Sequence, residues 1–330
     1  MKKLAYLSLL ISASTYFTSC GGYDAQTLVQ LGDSCYYEDN FSEAMEFYKK
    51  AGDKGLANAY NKIGVMYDNG VGVEENSTEA VKWYQKAIEL GDTIALSNLA
   101  LCYIIGDGID YNVDKGISLY EKAASMNDYD AMFKLGMLFY EGENVNTDYE
   151  TAMEWFRKAA EGGHTPSMYC MGIMYLYGEG VLVDKSAAAT WLLKAAEKGH
   201  LPASNSLGNI YQTEKKYSEA VKWYKYAADK DYYDAQVNLG YMYKHGLGVK
   251  KDYTEAVNLF QKAANQGNTR GQFHLSIMYY NGLGVDKDRN VAYNLMSKVA
   301  EQDYEWSKTA IENWGKITKM DDQNLRWSRW

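Results

Sequence analysis

Four histidines, four cysteines and a recurrent Gly-x-Gly spacing are the features of this chain that could carry chemistry. His164, His200, His245 and His274 are spread with no spacing that would gather them on one metal ion. No Gly-x-Ser-x-Gly, His-Glu-x-x-His, Ser-x-x-Lys or Lys-Thr-Gly sequence occurs, so no nucleophile stands in a motif with its base. Gly70-x-Gly72, Gly178-x-Gly180, Gly246-x-Gly248 and Gly282-x-Gly284 have the spacing of a phosphate loop. They follow a helical pattern rather than a strand and lack the Gly-Lys-Ser/Thr ending, so they read as turns. Cys35, Cys102 and Cys170 fall in three different helical segments and leave an odd count once Cys20 is set aside, which is not a disulfide framework. They read as compact apolar fillers. No catalytic residue, metal site or cofactor is expected.

The elements that hold these residues are set by a repeat of about 36 residues. Ile63-Gly64-Val65-Met66-Tyr67 returns as Leu135-Gly136-Met137-Leu138-Phe139, Met171-Gly172-Ile173-Met174-Tyr175 and Leu239-Gly240-Tyr241-Met242-Tyr243. A second signature, Glu79-Ala80-Val81-Lys82-Trp83-Tyr84, returns as Glu219-Ala220-Val221-Lys222-Trp223-Tyr224. Each unit is therefore two amphipathic helices. Ala59, Ile63, Met66 and Tyr67 share one face of a first helix, and Ala80, Tyr84 and Ala87 share one face of a second. Gly64 leaves room for the neighbouring helix. Asn40, Asn76 and Asp252 each precede a glutamate by three positions, a capping-box spacing that starts the second helices. Gly55, Gly91, Gly163, Gly199 and Gly267 close them. Pro166 and Pro202 mark joints just before first helices.

This alternation of Ala-x-x-x-Leu-Gly-x-Met-Tyr, a Gly-x-Gly-Val loop and Ala-x-x-Trp-Tyr-x-Lys-Ala-Ala resembles the Sel-one-like repeat family, a relative of the tetratricopeptide repeats. The resemblance covers nearly everything after residue 25. It implies an all-α fold, a right-handed α/α superhelical solenoid of about eight helix-turn-helix repeats, over residues 21–302. Six long units begin near Asn58, Ile94, Asp130, Pro166, Asp234 and Arg270. Two shorter ones, Leu31-Gly32 to Phe47-Tyr48 and Leu207-Gly208 to Trp223-Tyr224, lack the glycine loop and look more like ordinary tetratricopeptide units. Within 303–330, Trp306, Ala310, Ile311, Trp314 and Ile317 read as a capping helix followed by a polar tail. The resemblance also implies a role as an adaptor with a protein or peptide partner. Some cysteine-rich relatives are linked to β-lactam chemistry, but their paired cysteines are missing here.

In tetratricopeptide-like stacks the first helix lines the concave face. By that analogy, Leu101, Ile104, Ile105, Phe133, Tyr140, Tyr169, Leu176 and Tyr177 form an apolar and aromatic patch. Asn61, Asp68 and Asn69 on one side and Asn205, Asn209, Gln212 and Thr213 on the other form its polar rim. A bounded apolar surface of this kind marks a binding site. Two readings of Phe133, Tyr140, Tyr169 and Tyr177 stay open, a groove for a partner or core buried against the next repeat.

Net charge is −9 with both signs mixed along every repeat, so no basic stripe tracks a nucleic acid. Residues 1–20 carry Lys2-Lys3, an apolar run from Leu4 to Ile11, and Thr18-Ser19-Cys20. This layout resembles a bacterial lipoprotein signal, with Cys20 the lipidated residue, although Phe17 stands where leucine is usual. An ordinary secretory signal is the alternative. The expected molecule is a non-enzymatic scaffold held by lipid at a bacterial envelope membrane, the outer membrane or cell surface rather than the inner membrane. An enzyme or binder of cell-wall or β-lactam ligands and a structural spacer are the competing readings.

Overall fold

The computed structural model describes residues 22–301, and among them there are sixteen helices and no strand. The calls on Cys20, the signal segment and the capping helix of 303–330 lie outside the described residues. The chain divides into two units between Gly162 and Gly163. In the first, the helices are α1 (Ala25–Tyr37), α2 (Phe41–Asp53), α3 (Ala57–Asp68), α4 (Ser77–Glu89), α5 (Thr93–Ile105), α6 (Val113–Ser125), α7 (Tyr129–Glu141) and α8 (Tyr149–Glu161). In the second they are α9 (Thr165–Tyr177), α10 (Lys185–Glu197), α11 (Leu201–Thr213), α12 (Tyr217–Ala228), α13 (Tyr233–His245), α14 (Tyr253–Asn265), α15 (Thr269–Asn281) and α16 (Arg289–Glu301). Within each unit, consecutive helices pair as hairpins and each second helix also packs on the following first helix. Every hairpin of a unit thus shares a wall with the next in that unit, which is how a repeat too small to bury its own apolar face becomes stable.

The hairpin is built on a close approach. A Cβ placed on Gly64 of α3 would lie 2.5 Å from the Tyr84 ring of α4. The same distance separates Gly32 from Tyr48, Gly136 from Phe156 and Gly208 from Tyr224. These rings are essentially buried, and the alanines flanking them, Ala80 and Ala87 in α4 for example, are wholly buried. Each tyrosine keeps a hydrogen-bond acceptor: Tyr48 donates to Asp33 at 2.7 Å and Tyr84 to Asp68 at 3.1 Å. A buried phenol without such a partner costs free energy.

The caps follow the expectation in part. Asn76 Oδ1 accepts from the Glu79 amide and Asp252 Oδ1 from the Glu255 amide. Asn40 makes no side-chain cap bond, because its backbone at φ −85° and ψ 61° departs from the extended geometry that aims the side chain at the helix. Asp92, Asp128, His164 and His200 cap first helices, although no glutamate follows them three positions on. Pro166 and Pro202 sit inside the first turns of α9 and α11 rather than before them. Gly55, Gly91, Gly163, Gly199 and Gly267 take φ between +83° and +95°, as the exit from a second helix requires. Cys35 and Cys102 are buried and Cys170 is half-buried, as fillers should be.

The second glycine of each long loop has its own task. A side chain on Gly72 would run into Phe41, one on Gly108 into the Ser77 backbone, and one on Gly248 into the Tyr217 backbone. These three loops, and that of Gly284 against Tyr253, therefore lean on the start of the preceding second helix.

Gly64→Ala should destabilise the protein by about 1–3 kcal/mol, because the Tyr84 ring has no free volume to retreat into. Urea denaturation followed by circular dichroism reads the change, and an unaltered midpoint would contradict the close approach.

Candidate functional site

The eight residues singled out on the first helices have different surroundings. On α5, Leu101 and Ile105 are exposed, at 45% and 55%. Ile104 corrects the expectation: it is buried at 3%, because its side chain fills the space over Gly116 of α6, where a Cβ would lie 2.5 Å away. One residue of helical rotation separates a surface position from the hairpin core. On α7, Phe133 and Tyr140 are half-buried, with ring centroids 5.7 Å and 6.3 Å from that of Phe156. Tyr140 also meets Tyr149 edge-on at 5.4 Å. On α9 in the second unit, Tyr169 and Leu176 are half-buried and Tyr177 is 57% exposed. Tyr169 lies against the His200 ring at 4.8 Å, and burial pushes its phenol above the ordinary value, opposed by a hydrogen bond with Ser206. Phe133, Tyr140 and Tyr169 thus serve packing and surface together, while Leu101, Ile105 and Tyr177 are more open to solvent.

The flanking polar residues are structural ties as well as a rim. Asn98 Nδ2 donates to Asn61 Oδ1 at 2.9 Å, joining α5 to α3. In the second unit, Asn238 Nδ2 donates to Asn205 Oδ1 at 2.8 Å and Arg270 Nη2 donates to Asn238 Oδ1 at 2.9 Å, joining α11, α13 and α15. Asn61, Asn205 and Asn238 are buried, so these amides satisfy one another between successive first helices. Asn209, left exposed, accepts from the Tyr224 hydroxyl at 2.7 Å. Burial lowers the Arg270 pKa, and Asp234 at 3.8 Å opposes that shift.

Two of the cysteines are poorly placed for chemistry. Burial pushes the Cys102 thiol up to about 12 and raises Cys35 as well, which keeps both protonated at neutral pH. Among the described residues no three His, Cys, Asp or Glu side chains gather around a point where a metal could sit. A cleft of about 340 Å³ bounded by Gln212, Tyr217, Tyr241, His245 and Leu247 has no carboxylate in its wall. No helix among the described residues is long and apolar enough to cross a membrane.

Exposed apolar residues that the helical pattern does not reach lie in the loops. Tyr111 is 60% exposed, Leu182 90% and Val183 60%, and Tyr37, the last residue of α1, is 85% exposed. The signal was available by comparing repeats: where Tyr111 and Val183 stand, other units carry Glu75 and Lys251.

Stacked helical hairpins, a glycine in the first helix under a ring of the second, and a double-glycine loop define a Sel1-type solenoid. The Sel1 repeat model matches residues 28–56, 57–92, 93–128, 130–164, 165–200, 234–268 and 269–304, and the chain belongs to that family. A tetratricopeptide repeat matches residues 201–229, as the missing glycine loop there implies. The other short unit, 28–56, is a Sel1 repeat despite its short loop, which corrects the expectation for it. Among solved structures, a protective antigen of uropathogenic Escherichia coli with an SLR fold is similar at 32% identity and a TM-score of 0.73, covering 91% of this chain. This chain spans 66% of that antigen's length. A Sel1 repeat protein from Oxalobacter formigenes is similar at 25% identity and a TM-score of 0.71, over 94% of this chain and 91% of its own. No curated protein matches the sequence. Such repeats commonly serve as protein–protein interaction scaffolds.

The Tyr169–His200 contact has a pH consequence. His200 Nδ1 accepts from the Ala203 amide at 3.2 Å, which requires a neutral ring, and burial lowers its pKa below the ordinary 6.5. The unfolded chain therefore binds the proton more readily. The stabilisation is full above the unfolded value and is lost as pH falls through the lower, folded one. Wild type should lose ~1 kcal/mol relative to His200→Asn, which caps without titrating, between pH ~7 and ~5. Parallel urea titrations at the two pH values measure this, and identical pH profiles would refute it.

Proposed function

We propose that the protein is a non-enzymatic scaffold, tethered by lipid on Cys20 to a bacterial envelope membrane, that binds a protein or peptide through its first helices. In the tetratricopeptide-like stacks it resembles, that face is the concave one. The observation that carries this reading is the exposure of Tyr37, Ile105 and Tyr177 at a repeat position where the other units place Asn69, Glu141, Thr213, His245 or Asn281. Three repeats depart from a polar pattern with large side chains that are more than half exposed, and Leu101 extends the surface along α5. Apolar surface left in water is costly at about 25 cal/mol per Å², a cost recovered when a partner covers it. The family supports the same role, since its repeats commonly act as interaction scaffolds. The tether rests on the signal-like sequence ahead of Cys20. Each acyl methylene buried in a bilayer contributes ~0.8 kcal/mol, so several chains would hold the protein at the membrane. The side of the envelope proposed is the outer membrane or the cell surface.

Leu101→Ser, Ile105→Ser and Tyr177→Ser together should leave helicity and the denaturation midpoint unchanged, because all three are exposed. Crosslinking from envelope membranes should then lose a partner that wild type retains. A folded triple variant that keeps every partner would overturn the site. Cys20→Ser should move the protein from the membrane to the soluble fraction and abolish palmitate labelling, and retention at the membrane would overturn the tether.

A further inference from the structure

The hairpin loops of the first unit differ from those of the second in a way the repeat does not require. Residues 38–40, 69–76, 106–112 and 142–148 contain no lysine or arginine. Glu38 and Asp39 stand in the first of these loops, Glu74 and Glu75 in the second, Asp107 and Asp110 in the third, and Glu143 in the fourth. In the second unit, by contrast, Lys215-Lys216, Lys250-Lys251 and Lys287 stand in three of the four loops, and 178–184 alone lacks a cation. The stacking places the first three of these loops together. Gly72 abuts Phe41 at the start of α2 and Gly108 abuts Ser77 at the start of α4, so each loop rests on the end of the hairpin before it. Asp68, at the end of α3, is held above the ordinary carboxylate value by burial and by the negative charge of Asp107 and Glu75, which places those three groups within electrostatic reach.

Apolar side chains alternate with these charges. Tyr37 precedes Glu38, Ile105 precedes the loop of Asp107, and Tyr111 follows Asp110, all three largely exposed. Tyr111 folds back against Gly106, the residue after Ile105, where an added Cβ would meet the Tyr111 Cβ at 3.1 Å. Lys115, a cation close in sequence, lies over the Tyr103 ring at 4.3 Å. The edge combines unneutralised negative charge with free apolar surface, and neither improves folding. Like charges gathered on one edge repel, and exposed rings gain nothing from water.

We infer that this edge of the first unit docks a cationic segment of a partner protein, one in which lysine or arginine alternates with large apolar side chains. The inference rests on reading the first-helix surface as a partner-binding face, since Ile105 belongs to both, and it adds the chemistry of the occupant. Complementary charge steers such a segment to the edge and fixes its register, while Ile105, Tyr111 and Tyr37 supply the area that holds it.

The full chain in detergent is titrated with a fluorescent peptide of alternating lysine and leucine, with a glutamate–leucine peptide as the control. The expected result is binding of the lysine peptide alone, weakened by added salt. Glu74→Gln, Glu75→Gln, Asp107→Asn and Asp110→Asn together should weaken it roughly tenfold or more. Ile105→Ser with Tyr111→Ser should weaken it at low and high salt alike. Glu214→Gln with Asp286→Asn in the second unit should leave it unchanged. Equal binding by the charge-neutralised variant overturns the inference, as does stabilisation by calcium chloride in the absence of any peptide effect, which would make the edge a cation site. A crosslinked partner that depends on Leu101 and Tyr177 but survives neutralisation of the four carboxylates would overturn this inference and leave the proposed scaffold function standing.

Discussion

The seat of a second-helix side chain on a first-helix glycine is the contact on which the rest of the molecule depends. It brings two helices close enough that wholly buried alanines line the seam, and that closeness fixes where each hairpin presents its remaining faces. The exceptions show the same constraint met differently. In the α5–α6 hairpin the first helix carries Ala100, and the glycine has moved across to Gly116, where Ile104 occupies the freed space. In α9 and α10 the ring is replaced by Leu192, whose branched end fills the position over Gly172. Volume is conserved across the pair while its chemistry varies, as close-packed interiors demand.

Once the hairpins are closed in this way, three surfaces remain for other uses. The flanks of α3 and α5 and of α11 and α13 are tied by paired amides, Asn61 with Asn98 and Asn205 with Asn238, and Arg270 extends the second tie to α15. Such bonds fix the stagger between repeats, because a slip of one turn would leave buried amides unpaired. The exposed end of each first helix and the adjoining loop carry no such duty. They are where Leu101, Ile105, Tyr111, Tyr177 and Leu182 stand, and where sequence is free to serve a partner.

The helices and their ends were legible because glycine, alanine and the capping residues recur at fixed positions, each for a local reason that a single repeat already contains. Side-chain burial was legible only to within one residue of rotation. Ile104 and Ile105 are chemically alike and adjacent, and which of them turns inward depends on Gly116 eleven or more positions away in another helix. Phe133 and Tyr140 were ambiguous for a physical reason: each lays one side on Phe156 and leaves the other open. His164 and His200 stood out as repeat equivalents, yet their work as caps depends on a ring nitrogen reaching an amide, a geometry that composition does not encode. Asn40 shows the converse, a correct spacing defeated by its own backbone angles.

The loops that rest on the preceding hairpin give the chain a particular kind of inheritance. Because Gly72, Gly108, Gly248 and Gly284 each meet the start of the second helix one repeat back, a repeat with the double-glycine loop carries both half of the seam behind it and half of the seam ahead. A segment of one period copied into the gene at any phase would bring matching halves to both of its new junctions. The array can therefore lengthen by unequal crossing-over without any new interface being invented, and loops such as that of Asp110 and Tyr111 can then diverge one copy at a time.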